Sequence, residues 1–361
     1  YIIAGFAKNR DMGILILDPQ GEFTNNFPSS NLPFHQIIKY ACNRELSIIS
    51  SNEIRLDPNN VDDIALFTKK FFEARPLFPT SPDKYEEFLS ELYEEIINTK
   101  PDQIQNCINP VACYTFVLNA IKENKLEMAS KILSIKLENL KQNANNNDYI
   151  VRQVWSAFIN NVKSILDNVF TDKTVDRIKT DLDRLKSQEA RIKTFKEYLN
   201  LFDISSGISV DKIVSLLLEQ RRVVILDLSK LKNRFPGIDE VELKAFFISR
   251  IIDKIRERAE ERFRSNSRNL MNILIAMDEA HNYVGALYSN LPEDLKRLKK
   301  QIVKNVKETR KYGIGWLFIT QTTVDFDKEI YRQLHDYFFL YGLGVGADLQ
   351  HMKEVCLLYT S

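Results

Sequence analysis

No glycine occurs between Gly21 and Gly207, although the 361-residue chain holds 11 of them. That absence removes the residue most used in tight turns from a large central stretch. What remains there is rich in Leu, Ile, Lys, Glu and Asn, with apolar residues at three- and four-residue spacing, as in Tyr85, Phe88, Leu89, Leu92 and Ile96, or Ile178, Leu182 and Leu185. This is the stripe of amphipathic helices. Asn143 to Asp148 (NANNND) breaks the pattern as a polar surface loop. Residues 62–203 are therefore expected to form an all-α insertion outside any sheet.

Cysteine is also scarce. Cys42, Cys107, Cys113 and Cys356 show neither metal-ligand nor disulfide spacing, and the expectation is four reduced thiols in a cytoplasmic protein. No stretch approaches the roughly 18 uncharged apolar residues of a membrane span, and no signal peptide is visible. Neither sign of charge dominates: 50 Lys and Arg face 49 Asp and Glu, a net charge of +1. Any basic surface must come from local clustering.

What is present is an alternation of short apolar runs and helical patterns on either side of the insertion. Ile14–Asp18, Val223–Leu228, Ile273–Asp278, Gly315–Thr320 and Tyr337–Tyr341 are candidate strands, and Val241–Arg264 is a long helix joining the second to the third. Runs that are apolar throughout suit strands covered on both faces, and the alternation implies a mostly parallel sheet. An α/β core is expected from residues 1–61 and 204–355.

Two of these runs end in acids at the sheet edge where ligands sit in such folds. Met271–His281 reads MNILIAMDEAH and stops in adjacent carboxylates, Asp278 and Glu279. Two neighbouring acids repel unless a cation or a reacting water offsets them, which is the chemistry of a nucleoside-triphosphate site or, more simply, of a solvated acidic turn. Ile14–Phe23 reads ILILDPQGEF, a strand leaving through Asp18, Pro19, Gly21 and Glu22. Arg310–Gln321 reads RKYGIGWLFITQ and ends in Thr320 and Gln321. Glutamine can orient an attacking water or sense a terminal phosphate.

In this order the three segments resemble the HerA/FtsK superfamily of hexameric P-loop ATPases, and most closely the HerA-like DNA translocases. Asp18–Phe23 looks like the family's DPxGEY run, Ile273–Glu279 like its Walker B strand, and Arg310–Gln321 like its RKYG segment and the strand that ends in TQ. Val223–Ser229 (VVILDLS) is similar too. The resemblance implies a RecA-like core, ATP and Mg²⁺ as cofactors, and a homo-hexameric ring moving on double-stranded DNA, with a nuclease or a defence effector as a further partner. It implies Asp278 as the residue holding Mg²⁺ through water, Glu279 as general base and Gln321 as polar sensor. Asp18 and Glu22 would lie near the nucleotide. Arg310, or less directly Lys311, would be an arginine finger for the neighbouring subunit. His281 would be a supporting or surface histidine.

The family's Walker A loop would precede Tyr1–Lys8, so residues 1–361 alone are expected not to hydrolyse ATP, and residues 356–361 are expected to be a non-native tail. Lys296, Arg297, Lys299, Lys300 and Lys304 lie in a segment with a single acid, Glu308. A ring of such segments would attract a DNA backbone; the plainer reading is a solvated helix face. A conjugation or type IV secretion motor and a non-catalytic assembly scaffold are the alternatives to the HerA-type motor.

Overall fold

The computed structural model describes residues 2–24, 33–99, 106–265, 270–285, 292–321 and 327–338. Its strands are β1 (Gly13–Asp18), β2 (Leu46–Ser50), β3 (Ile54–Arg55), β4 (Ile208–Ser209), β5 (Val223–Asp227), β6 (Ile273–Met277) and β7 (Ile314–Phe318). The chain forms two compact units. The first comprises Tyr1–Asn52, Val210–Asn233 and Asp239–Ser361; the second comprises Glu53–Ser209 and Arg234–Ile238.

The first unit is an α/β core of the RecA-like kind. Its sheet is parallel throughout, in the order β2–β5–β1–β6–β7. The three central strands are buried along their whole length, whereas the edge strands β2 and β7 are only partly so. A strand hydrogen-bonded on both sides and covered on both faces has nowhere to place a polar side chain, which is why these three read ILIL, VVIL and ILIAM. Ile14, Ile16, Val223, Ile225, Leu274 and Ala276 form one face, packed with Ile3, Ala4 and Ala7 of the short helix Ile2–Ala7. Helix Val210–Leu218 packs on β1 and β5, and the long helix Glu240–Arg264 lies between it and helix Glu293–Glu308.

Among its described residues, the only strands of the second unit are the short parallel pair β3–β4, and its other regular elements are helices. Asn60, Asn109 and Asn146 each begin a helix by accepting a backbone N–H three residues on, from Asp63, Ala112 and Tyr149, the preferred capping chemistry for a short amide side chain. The core is aromatic: Phe67, Phe72, Trp155, Phe158, Phe195, Tyr198, Phe202 and Phe235 are all fully buried. Their polar handles are met inside, Trp155 Nε1 donating to Leu185 O at 3.1 Å and Tyr198 OH lying 2.7 Å from Thr68 Oγ1. No described helix is long and apolar enough to cross a membrane.

Three expectations change. Cys107 and Cys113 are joined by a disulfide, with Cα atoms 5.1 Å apart, so these two are not free thiols. The loop folds back onto the first turn of helix Pro110–Lys122 and brings the pair together, which spacing along the sequence does not reveal. Cys42 is free and buried. The edge strand β2 and the pair β3–β4 were not expected, since LSIIS and two-residue strands carry little apolar signal. Of the expected strand 337–341, Tyr337 and Phe338 are irregular and the rest lies outside the described residues, as does the tail 356–361.

Gly13 opens β1 against the end of helix Val210–Leu218. A Cβ built there would lie 2.3 Å from the carbonyl oxygen of Leu217, and a backbone neighbour cannot rotate away. Gly13→Ala is therefore expected to lower stability by about 1–3 kcal/mol. Urea unfolding followed by far-UV circular dichroism checks this, and an unchanged midpoint would contradict the close approach.

Candidate active site

Parallel register pairs Asp18 with Asp227, and Leu17 with Met277. Asp18, Asp227 and Asp278 therefore end three neighbouring strands at one sheet edge, the carboxyl-terminal edge where open α/β sheets bind ligands. Asp227 is the member that the sequence did not single out. The signal was present, since VVILD has the same form as ILILD and ILIAMD, an apolar run closed by an acid.

Asp18 is fully buried and organises the turn that follows it. Its Oδ1 accepts the backbone N–H groups of Gly21 at 2.8 Å and Glu22 at 2.9 Å, and its Oδ2 accepts that of Phe23 at 2.9 Å. Gly21 adopts φ 77°, where an L side chain is strained. A Cβ there would also press on Ser229 Oγ at 3.0 Å and Asp227 Oδ1 at 3.4 Å. Asp227 Oδ1 in turn accepts from Ser229 N and Oγ, at 3.0 and 2.5 Å. Asp18, expected near a nucleotide, thus has its lone pairs engaged by its own loop, and what it presents is Glu22. Burial is the main reason that the Asp18 carboxyl is raised above its ordinary value, outweighing three amide bonds; the Asp227 charge acts in the same direction.

Asp278 is 5% exposed, and its Oδ2 is buried without a hydrogen-bond partner. Burial pushes its carboxyl up to about 6, and the charges of Glu22, Glu279 and Asp18 add to the rise against one backbone hydrogen bond from Glu279. A lone pair left bare in a cluster of acids suits a group bringing positive charge. Among the described residues no three His, Cys, Asp or Glu side chains are placed to hold a metal ion together. A hydrated cation, touched by Asp278 and ligated mainly from elsewhere, is the arrangement these residues fit.

Glu279 follows in a left-handed backbone conformation, φ 47°. A non-glycine residue there is held by its surroundings at a cost on the order of 1–3 kcal/mol, and such sites cluster where function requires them. Its Oε1 accepts from Gln321 Nε2 at 2.7 Å, and its Oε2 lies 3.4 Å from His281 Nδ1. The backbone fixes this meeting, because Ile319 N bonds Met277 O and Ala280 N bonds Ile319 O, both at 2.9 Å. The structure thus brings Asp18, Glu22, Asp278, Glu279 and Gln321 together.

Arg310 stands elsewhere. It belongs to the turn Thr309–Tyr312 before β7, at the opposite edge of the sheet, with its Nη1 2.8 Å from His335 Nε2. The five residues of β7 separate it from Gln321 by roughly 17 Å at about 3.3 Å per residue. Lys311 lies in the same turn, its Nζ 4.9 Å from the centre of the Tyr312 ring. The basic helix Glu293–Glu308 divides into two faces. Arg297, Lys300 and Lys304 are exposed, and Lys296 is partly buried near Glu293. Lys299 is the exception to the expected basic surface. It is 3% exposed, pairs with Asp327 at 3.0 Å and donates to Gly285 O, because three- and four-residue spacing sets it beside Leu295, Leu298 and Ile302 on the buried face.

The Asp278 carboxyl yields a stability test. Folded, it holds its proton more tightly than an unfolded carboxyl does, so its charge costs stability above pH 6 and costs nothing below about pH 4. Without divalent cations, Asp278→Asn is expected to raise unfolding free energy at pH 7 by about 1–3 kcal/mol. The gain should vanish as pH falls from 6 to 4. Equal denaturation midpoints for both proteins at pH 7 would show that the carboxylate carries no such cost.

A family model described as the central domain of helicase HerA matches residues 1–255. That span takes in Asp18, Glu22 and Asp227 and stops before Asp278. No curated protein matches the sequence. With its parallel core and acid-lined edge, the chain belongs to the HerA helicase central-domain family.

Proposed function

We propose that this chain is the hydrolytic core of an ATP-driven motor of the HerA type, working as a homo-hexameric ring on double-stranded DNA. The observation that carries the reading is the pair Asp278–Glu279. One acid keeps a buried, unpartnered oxygen, and the other is held between Gln321 and His281. Asp278 and Glu22 are the residues that would hold a hydrated Mg²⁺, which when bound supplies positive charge against that developing on the transferred phosphoryl group. Glu279 takes the proton of the attacking water. Gln321 fixes Glu279 Oε1 from the neighbouring strand and is positioned to read whether a terminal phosphate is present. Asp18 and Asp227 hold the loop that aims Glu22.

Arg310 completes the site from another subunit. It stands a strand's length from the acids of its own chain, so an arginine finger at this position serves a neighbour. The exposed cations Arg297, Lys300 and Lys304 form a face that suits a phosphate backbone without base reading. A nuclease or a defence effector is the expected companion of such a motor.

Two experiments on the full-length protein test this. Glu279→Gln is expected to lower ATP turnover by roughly 10²–10⁴-fold with ATP still bound, and Arg310→Ala to be comparably inactive. Mixing the two variants should restore about a quarter of the wild-type rate, because one interface in four then pairs an intact Glu279 with an intact Arg310. No recovery on mixing would place both groups in one subunit's site or outside catalysis. Reversing the exposed pair, Lys300→Glu with Lys304→Glu, is expected to weaken double-stranded DNA binding and reduce the slope of log K against log salt by roughly 2. An unchanged slope would remove this face from the DNA path.

A further inference from the structure

Glu279 meets a different group at each oxygen, a hydrogen-bonded amide at Oε1 and an imidazole nitrogen near Oε2. Gln321, three residues beyond β7, places its amide 2.7 Å from Oε1. His281 opens the short helix His281–Val284, two residues beyond the acid, with Nδ1 3.4 Å from Oε2 and 3.3 Å from Thr320 Oγ1. A neutral imidazole carries hydrogen on one nitrogen only. With that hydrogen on Nδ1, the ring donates toward Glu279, with the Thr320 hydroxyl oxygen as a second acceptor. With it on Nε2, Nδ1 accepts from Thr320 and turns a lone pair toward a carboxylate, which is repulsive. Burial sharpens the difference, since the Glu279 side chain is only 8% exposed and water offers it little alternative.

We propose that His281 is a positioning residue for Glu279. It carries hydrogen on Nδ1 and, opposite Gln321, fixes the carboxylate rotation so that one lone pair of Oε2 faces the attacking water. This rests on the ATPase reading above. Glu279 is rooted in a left-handed backbone, φ 47°, so the direction in which its side chain leaves the main chain is set by the turn, and the groups at its two oxygens set the carboxylate's rotation. Contacts of this length tighten when substrate engages. Thr320 is the counterweight, competing for the same hydrogen.

The test uses two variants of similar size and polarity. In His281→Asn the side-chain amide falls where Nδ1 stood and can donate to Oε2; in His281→Gln it falls where Nε2 stood, out of reach. Steady-state ATP hydrolysis by the full-length protein is expected to show kcat for the Asn variant within about threefold of wild type, and for the Gln variant roughly 10–100-fold lower, with KM for ATP within about twofold in both. Equal kcat in the two variants overturns the proposal, whether both are active or both are lost. Glu279→Gln, measured alongside, separates the two levels. If it keeps full turnover, Glu279 is not the base and the reading of this site fails; if it is inactive while both His281 variants match wild type, only the positioning role fails.

Discussion

Carboxylates crowded at one buried sheet edge set the conditions for everything else in this molecule. Asp18, Asp227 and Asp278 end adjacent strands, and Glu22 and Glu279 approach from the loops between them. Each charge makes its neighbours harder to ionise, and burial adds to the difficulty. The fold answers locally where it can. Backbone amides absorb Asp18, and hydroxyls and an amide absorb Asp227. At Asp278 it supplies too little, and that shortfall is the chemical invitation. A group that is perfectly satisfied by its own protein has nothing left to offer a ligand.

The same edge explains why the central strands are so uniform. Polar groups are excluded from β1 and β5 until the final residue, and from all of β6 until the residue after it, so the transition from apolar to acidic falls at one level across the sheet. The second unit follows different rules. Its core is built of stacked and edge-on aromatic rings and asparagine-capped helices, with polar atoms of Trp155 and Tyr198 answered inside.

The ease of reading different parts of the sequence follows from these rules. ILILD, VVILD and ILIAMD are visible as buried parallel strands because no other environment tolerates them, and the helical stripes around Phe88 and Ile178 are equally plain. The half-polar edge strand LSIIS is not, because an edge strand need satisfy only part of that constraint. In the site, Asp278, Glu279 and Gln321 were legible from their place at strand ends, whereas the engagement of Asp18 by its own loop depends on backbone geometry that residue types do not encode. Lys299 shows the limit of charge counting. A run of cations on a helix must be divided by its period before it describes a surface, and the period turns Lys299 inward. Cys107 and Cys113 show the same limit for a loop that closes on itself.

The path from the exposed cations to Glu279 has a mechanical character. Helix Glu293–Glu308 runs directly into the turn Thr309–Tyr312, then Gly313, then β7, whose end carries Thr320 and Gln321. The joint is stiffened at several points. Thr309 Oγ1 donates to Asn305 O and accepts from Trp316 Nε1, and Gly313 is wedged where a Cβ would meet Leu270 at 2.7 Å. The helix is also pinned midway by the pair of buried Lys299 with partly buried Asp327. No slack loop lies between the solvent-facing cations and the Gln321 amide that bonds Glu279. The assembly is a pushrod: a tug on one end has no compliant segment in which to dissipate before it reaches the other.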